Sequence, residues 1–153
     1  MRYSIKNIII TLTSILLVAV LGTVFVNLGM DWFNGLVKPN QWILNIIIPI
    51  VWTIIYLAFA VVLTLWQLKN TLNKKIVILL ILNGLLNVLW CLIFFALHLT
   101  LLGNITIIIN LIAGILLINE FKNANITYWP ILIIYPIWLS IATALNTALW
   151  ILN

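Results

Sequence analysis

The chain of 153 residues is 66% hydrophobic and 6% charged, with a net charge of +5 from seven cations and two acids. A soluble domain carries about 25% charged residues, so a globular domain in water is excluded, and at about 20 apolar residues per spanning helix little is left over besides spans. The cations Arg2, Lys6, Lys38, Lys69, Lys74, Lys75 and Lys122 form no basic stripe, which argues against a nucleic-acid partner, while the single Cys91 and single His98 argue against disulfides, cysteine metal clusters or any other metal site.

Polar breaks divide the chain into five apolar runs, and an open chain in lipid satisfies its own backbone only as helix. Strand-like alternation is absent. The expected fold is therefore an all-α integral membrane protein, a bundle of five transmembrane helices forming a single domain over 1–153. The first span, about 8–26, follows Arg2 and Lys6 as a signal peptide would, but it is long and has no small-residue cleavage site before Asn27. It is read as retained. A loop over about 27–41 leads to the second span, about 42–66, and the third, about 76–97. Gly103 and Asn104 are expected to make a tight turn into the fourth span, about 103–121, and the fifth covers about 129–152.

Charge sets the orientation. The N-terminus, the Gln67 to Lys75 loop and the Asn119 to Thr127 loop hold six of the seven cations, and the opposite side has only Lys38. The positive-inside rule then places the N-terminus in the cytoplasm and the 27–41 loop on the other face. The expected location is multi-pass in a bacterial cell envelope.

Three spans carry stripes that a lipid-facing surface does not need. Residues at i, i+3, i+4 and i+7 share a helix face. On the second span these are Asn45, Pro49, Trp52, Tyr56 and Phe59; on the third, Asn83, Asn87, Trp90 and Phe94; on the fifth, Trp138, Ala142 and Asn146. Trp42, Trp66, Trp129 and Trp150 stand at span ends, as an interfacial belt requires. Trp52 lies about 15 Å along its helix from Trp42, too deep for that belt. Two readings stay open for Trp52, Trp90 and Trp138: helix packing, or a shared cavity with aromatic walls and a few Asn amides, suited to a flat conjugated ligand. Asn83, Asn110 and Asn146 individually suit bonding between helices, and Pro49 and Pro136 are expected to bend their spans. No ionisable group lies at depth, which argues against a proton-coupled pump.

Several segments in order resemble one family. Trp32-Phe33, Leu36, Lys38-Pro39 and Pro49-Ile-Val-Trp52-Thr-Ile-Ile-Tyr56 are followed by Asn83, Asn87, Trp90 and Phe94-Phe95. Trp138, Ala142, Leu145-Asn146 and Trp150-Ile-Leu-Asn153 complete the pattern. From about Trp32 to Asn153 the chain resembles the TspO/MBR family, the tryptophan-rich sensory or translocator proteins. The resemblance implies a five-helix bundle, with a homodimer expected, and a ligand pocket capped by the first loop. It implies porphyrin or haem-precursor ligands, with no cofactor required. It also puts Trp32, Phe33, Trp52, Tyr56, Asn87, Trp138 and Ala142 on pocket positions. Trp90 and Asn146 join them from the stripes, and Lys38 from its place at the pocket mouth, where it could attract an acidic substituent.

Departures from the family pattern narrow the ligand. Ile43-Leu44 stand where the family has a Pro-Pro pair, Phe33 lacks a hydroxyl, and no cation follows Tyr135 to complete a sterol motif. Tetrapyrrole binding is thus expected over sterol binding. The leading expectation is a membrane protein that senses, sequesters or transports a hydrophobic small molecule such as a porphyrin. An alternative is a light- and oxygen-dependent porphyrin-degrading enzyme with Trp32 and Trp138 as its catalytic candidates. A second is a structural bundle acting through protein contacts, in which Gly84 and Gly114 permit close helix approach.

Overall fold

Lipid leaves the backbone no partner but itself, and the described residues form helix and no strand. The computed structural model describes residues 2–40 and 43–153. Five helical segments are long and apolar enough to cross a membrane. The elements are α1 (Arg2–Leu28), a short α2 (Met30–Gly35), α3 (Ile47–Gln67), α4 (Lys74–Cys91) running on through a π-helical turn (Leu92–Ala96), α5 (Thr100–Asn123), and a 3-10 segment (Trp129–Ile133) leading into α6 (Ile134–Leu152). Trp66, Trp129 and Trp150 stand at helix ends, as the belt requires; Trp42 lies outside the described residues.

Both span prolines differ from expectation. Pro49 is the third residue of α3, where a backbone N–H has no intrahelical partner to lose, so it starts the helix instead of bending it. Pro136 is the third residue of α6, at the junction where 3-10 geometry relaxes into α-helix.

The reversal between the third and fourth spans also differs. Gly103 and Asn104 lie inside α5, and the chain turns at Leu97–Leu99, with His98 in the left-handed region at φ 60°. The widened helix end makes this turn: Leu97 N–H donates to Leu92 O at 2.9 Å and Leu99 N–H to Ile93 O at 3.0 Å. Gly103 is needed for packing, since a Cβ there would lie 2.8 Å from Phe94 Cβ.

Glycines set two other approaches. A Cβ on Gly29, between α1 and α2, would fall 1.9 Å from the Phe95 carbonyl oxygen, so only glycine lets the chain cross the end of α4 there. A Cβ on Gly114 would lie 3.1 Å from Leu139 and Tyr135 side-chain atoms, which brings α5 close to α6. α4 packs on α5 and α1, and α5 on α6. α1 is the most peripheral span, with 11% of its apolar window buried against 44% for α5. At the end carrying the α3–α4 loop, Gln67 Nε2 donates to Thr11 Oγ1 at 3.1 Å and Lys75 pairs with Glu120 at 2.5 Å. At the other end Asn153 bonds the backbone N–H and C=O of Val37, each at 3.0 Å, holding the loop after α2 against the end of α6.

Candidate functional site

Helical spacing aims one aromatic row from each of three spans inward. Trp52 on α3, Trp90 and Phe94 on α4, and Trp138 with Ala142 on α6 meet around a cavity of about 40 Å³. The π-helical turn adds one residue to its circuit, so the consecutive Phe94 and Phe95 are both buried and both line the cavity. Phe33 of α2 closes it from the loop side, and Ile48, Leu145, Asn146 and Leu149 complete the wall. The rings keep the offset and edge-on arrangements that their quadrupoles favour. Trp52 and Trp90 are 6.2 Å apart, Trp90 stacks on Phe94 at 6.4 Å, and Phe94 meets Phe95 edge-on at 4.9 Å.

Polar atoms on this wall are few. Trp90 Nε1 donates to Asn146 Oδ1 at 3.1 Å, a bond from α4 to α6. Two donors on α6, Trp138 Nε1 and Asn146 Nδ2, are buried and have no hydrogen-bond partner. Desolvated and unpaired, each costs about 1–3 kcal/mol.

A second polar centre lies deeper. The Tyr135 hydroxyl accepts from Asn87 Nδ2 at 2.9 Å and faces two carbonyl oxygens, Asn83 Oδ1 at 3.1 Å and Asn110 Oδ1 at 3.3 Å. With Asn83 and Asn87 on α4, Asn110 on α5 and Tyr135 on α6, this network ties three spans together. Asn87 Nδ2 also reaches the Asn83 backbone oxygen at 3.2 Å.

The expected site residues therefore divide into two groups. Phe33, Trp52, Trp90, Trp138, Ala142 and Asn146 line the aromatic cavity. The other four do not. Trp32 is half-buried, stacked on His98 at 4.4 Å with its edge toward Phe94 at 5.5 Å. Lys38 Nζ donates to the Phe33 carbonyl at 2.9 Å and rests 4.8 Å from the Phe33 ring centre, bracing the capping segment. Tyr56 stacks on Trp52 at 5.7 Å, yet Tyr56 and Asn87 line a separate cleft of about 580 Å³ between α1, α3 and α4.

That cleft was missed in the sequence, as were Phe95 and the aliphatic wall of the first cavity. Asn7, Thr11 and Ser14, spaced four and three apart, put a polar stripe on α1 facing the cleft, and helical spacing would have found it. No three His, Cys, Asp or Glu side chains gather among the described residues.

The sequence model of the TspO/MBR family matches residues 10–151, nearly the whole chain. No curated protein matches it.

Proposed function

The chain belongs to the TspO/MBR family, and from that premise we propose that it binds a flat, hydrophobic, porphyrin-like molecule within the membrane, to sense, sequester or transport it. One observation carries the reading: aromatic faces from three spans and the capping helix converge on one cavity, and two residues of its wall, Trp138 and Asn146, hold unpaired N–H donors. Aromatic walls favour a conjugated ring. The donors favour a ligand with acceptor oxygens, such as the carboxylates of a porphyrin.

At about 40 Å³ the cavity is far below the roughly 300–1,000 Å³ of a ligand site, so binding needs the rings to part. Phe33 is the movable wall, because it sits on the short α2 and not on a span. Its restraints, the Lys38 bond to its carbonyl and the Asn153 bonds to Val37, are the contacts that opening would break. Freed, the Lys38 ammonium would face an acidic substituent of the ligand. The ligand thus selects an open state over the closed one. If light-driven porphyrin breakdown accompanies binding, Trp138 on the cavity wall would contact the ring and Trp32 would not.

Titration of the protein in lipid nanodiscs with protoporphyrin IX tests the proposal. Tryptophan fluorescence should quench saturably, and Trp52→Ala and Trp138→Ala should each weaken the affinity tenfold or more. Unchanged affinity in both variants rejects this cavity as the site.

A further inference from the structure

The cleft between α1 and the α3–α4 pair takes no part in the aromatic cavity, and its shape and charge call for a different occupant. We infer that it holds one acyl chain of an anionic phospholipid, with the headgroup at the end of the bundle where α3 passes into α4.

Its proportions come first. The cleft wall on α1 runs from Asn7 to Leu21, about 21 Å at 1.5 Å per residue. About 580 Å³ spread over that length makes an elongated cleft, along which one extended hydrocarbon chain can lie parallel to the helices. Its rim is open to the lipid, with Leu17, Ile81 and Leu85 lining the cleft and exposed at the same time. Bilayer acyl chains are therefore its immediate neighbours.

The distribution of polar groups sets the direction. Asn7, Thr11 and Gln67 stand together at one end, where Gln67 bonds to Thr11. Beyond them the walls are mostly aliphatic as far as Tyr56 and Asn87, and the Asn87 amide is already occupied by Tyr135. Lys6 adjoins Asn7, while Lys69 and Lys74 flank the loop that follows Gln67. The acids do not neutralise them: Glu120 pairs with Lys75, and Asp31 lies on α2 at the opposite end. An anionic headgroup is what three such cations attract.

Native mass spectrometry of the detergent-purified chain, with phosphatidylglycerol and phosphatidylcholine of identical chains in competition, reads the inference directly. One phosphatidylglycerol per chain should be retained in preference, and Lys69→Gln and Lys74→Gln should each lower that preference about fivefold. Ser14→Trp places a ring in the cleft from an exposed position, and Val77→Trp does so from α4. Both should abolish retention of either lipid while leaving helicity and protoporphyrin quenching intact.

Equal retention of the two lipids, or retention untouched by both tryptophan variants, overturns the inference. So does one-for-one displacement by oleate, which would make a free fatty acid the occupant, or cross-linking of Ile10→Cys between two copies, which would make it a second chain. Displacement by protoporphyrin, with quenching insensitive to Trp52→Ala and Trp138→Ala, would move the tetrapyrrole into the cleft and overturn both proposals. Loss of quenching alone leaves this one standing.

Discussion

Replacing Tyr135 by Phe removes a single oxygen from a side chain that is 2% exposed, and it isolates the polar centre from packing. The hydroxyl makes one bond as acceptor, from Asn87, and has one proton for two carbonyls, those of Asn83 and Asn110. The deletion therefore removes two hydrogen bonds at any moment, not three. Bonds between membrane helices average about 0.6 kcal/mol and reach about 1.7, so the loss should be about 1–3 kcal/mol. Asn87 keeps its 3.2 Å bond to the Asn83 backbone, which holds the cost toward the lower half of that range. The ring is unchanged, so the cavity contribution is small. Reversible unfolding in mixed micelles, titrated with dodecyl sulfate and followed by helicity and tryptophan fluorescence, measures the difference. A double-mutant cycle with Asn87→Ala should return a coupling of about 0.6–1.7 kcal/mol. A loss below about 0.3 kcal/mol, or no coupling, would refute the claim that this network joins α4, α5 and α6.

Gly29→Ala should abolish folding or cost several kcal/mol, because its Cβ meets the Phe95 backbone at 1.9 Å, whereas Gly84→Ala, facing only a Val18 methyl at 3.1 Å, should cost under about 1 kcal/mol; the same unfolding titration compares them. Trp90→Phe and Trp138→Phe lose equal ring volume, but only the first breaks a hydrogen bond, to Asn146. Trp90→Phe should therefore be less stable by about 1 kcal/mol, and equal stabilities would show that the indole bond contributes nothing.

Much of the architecture was legible because lipid imposes it. A backbone with no water to bond must be helical, so apolar run length and the polar breaks locate the spans to within a few residues. Turns do not follow from that constraint. His98 takes a left-handed conformation that glycine would have advertised, and the neighbouring Gly103 and Asn104 imitate a turn while serving a helix contact with Phe94. The π-helical turn was equally silent, since nothing in Leu92–Ala96 marks an extra residue per circuit until Phe94 and Phe95 are both found buried.

The stripe on α4 shows where spacing stops being informative. At about 100° per residue, Asn83, Asn87, Trp90 and Phe94 do share one face, and all four are buried. Spacing fixes direction around a helix but not what lies opposite at each height, and this face is about 16 Å long. Tyr135 stands across it. Its ring meets Trp52 edge-on at 6.4 Å and Phe59 at 5.4 Å, and its hydroxyl is held by amides from two other spans. At one end of this face Trp90 and Phe94 line the aromatic cavity; at the other, Asn83 and Asn87, together with Tyr135, line the cleft against α1. One stripe therefore serves two compartments. The residue that pairs with its polar end, Tyr135, comes from a different span, 48 positions away from Asn87, where no periodicity along α4 could point to it.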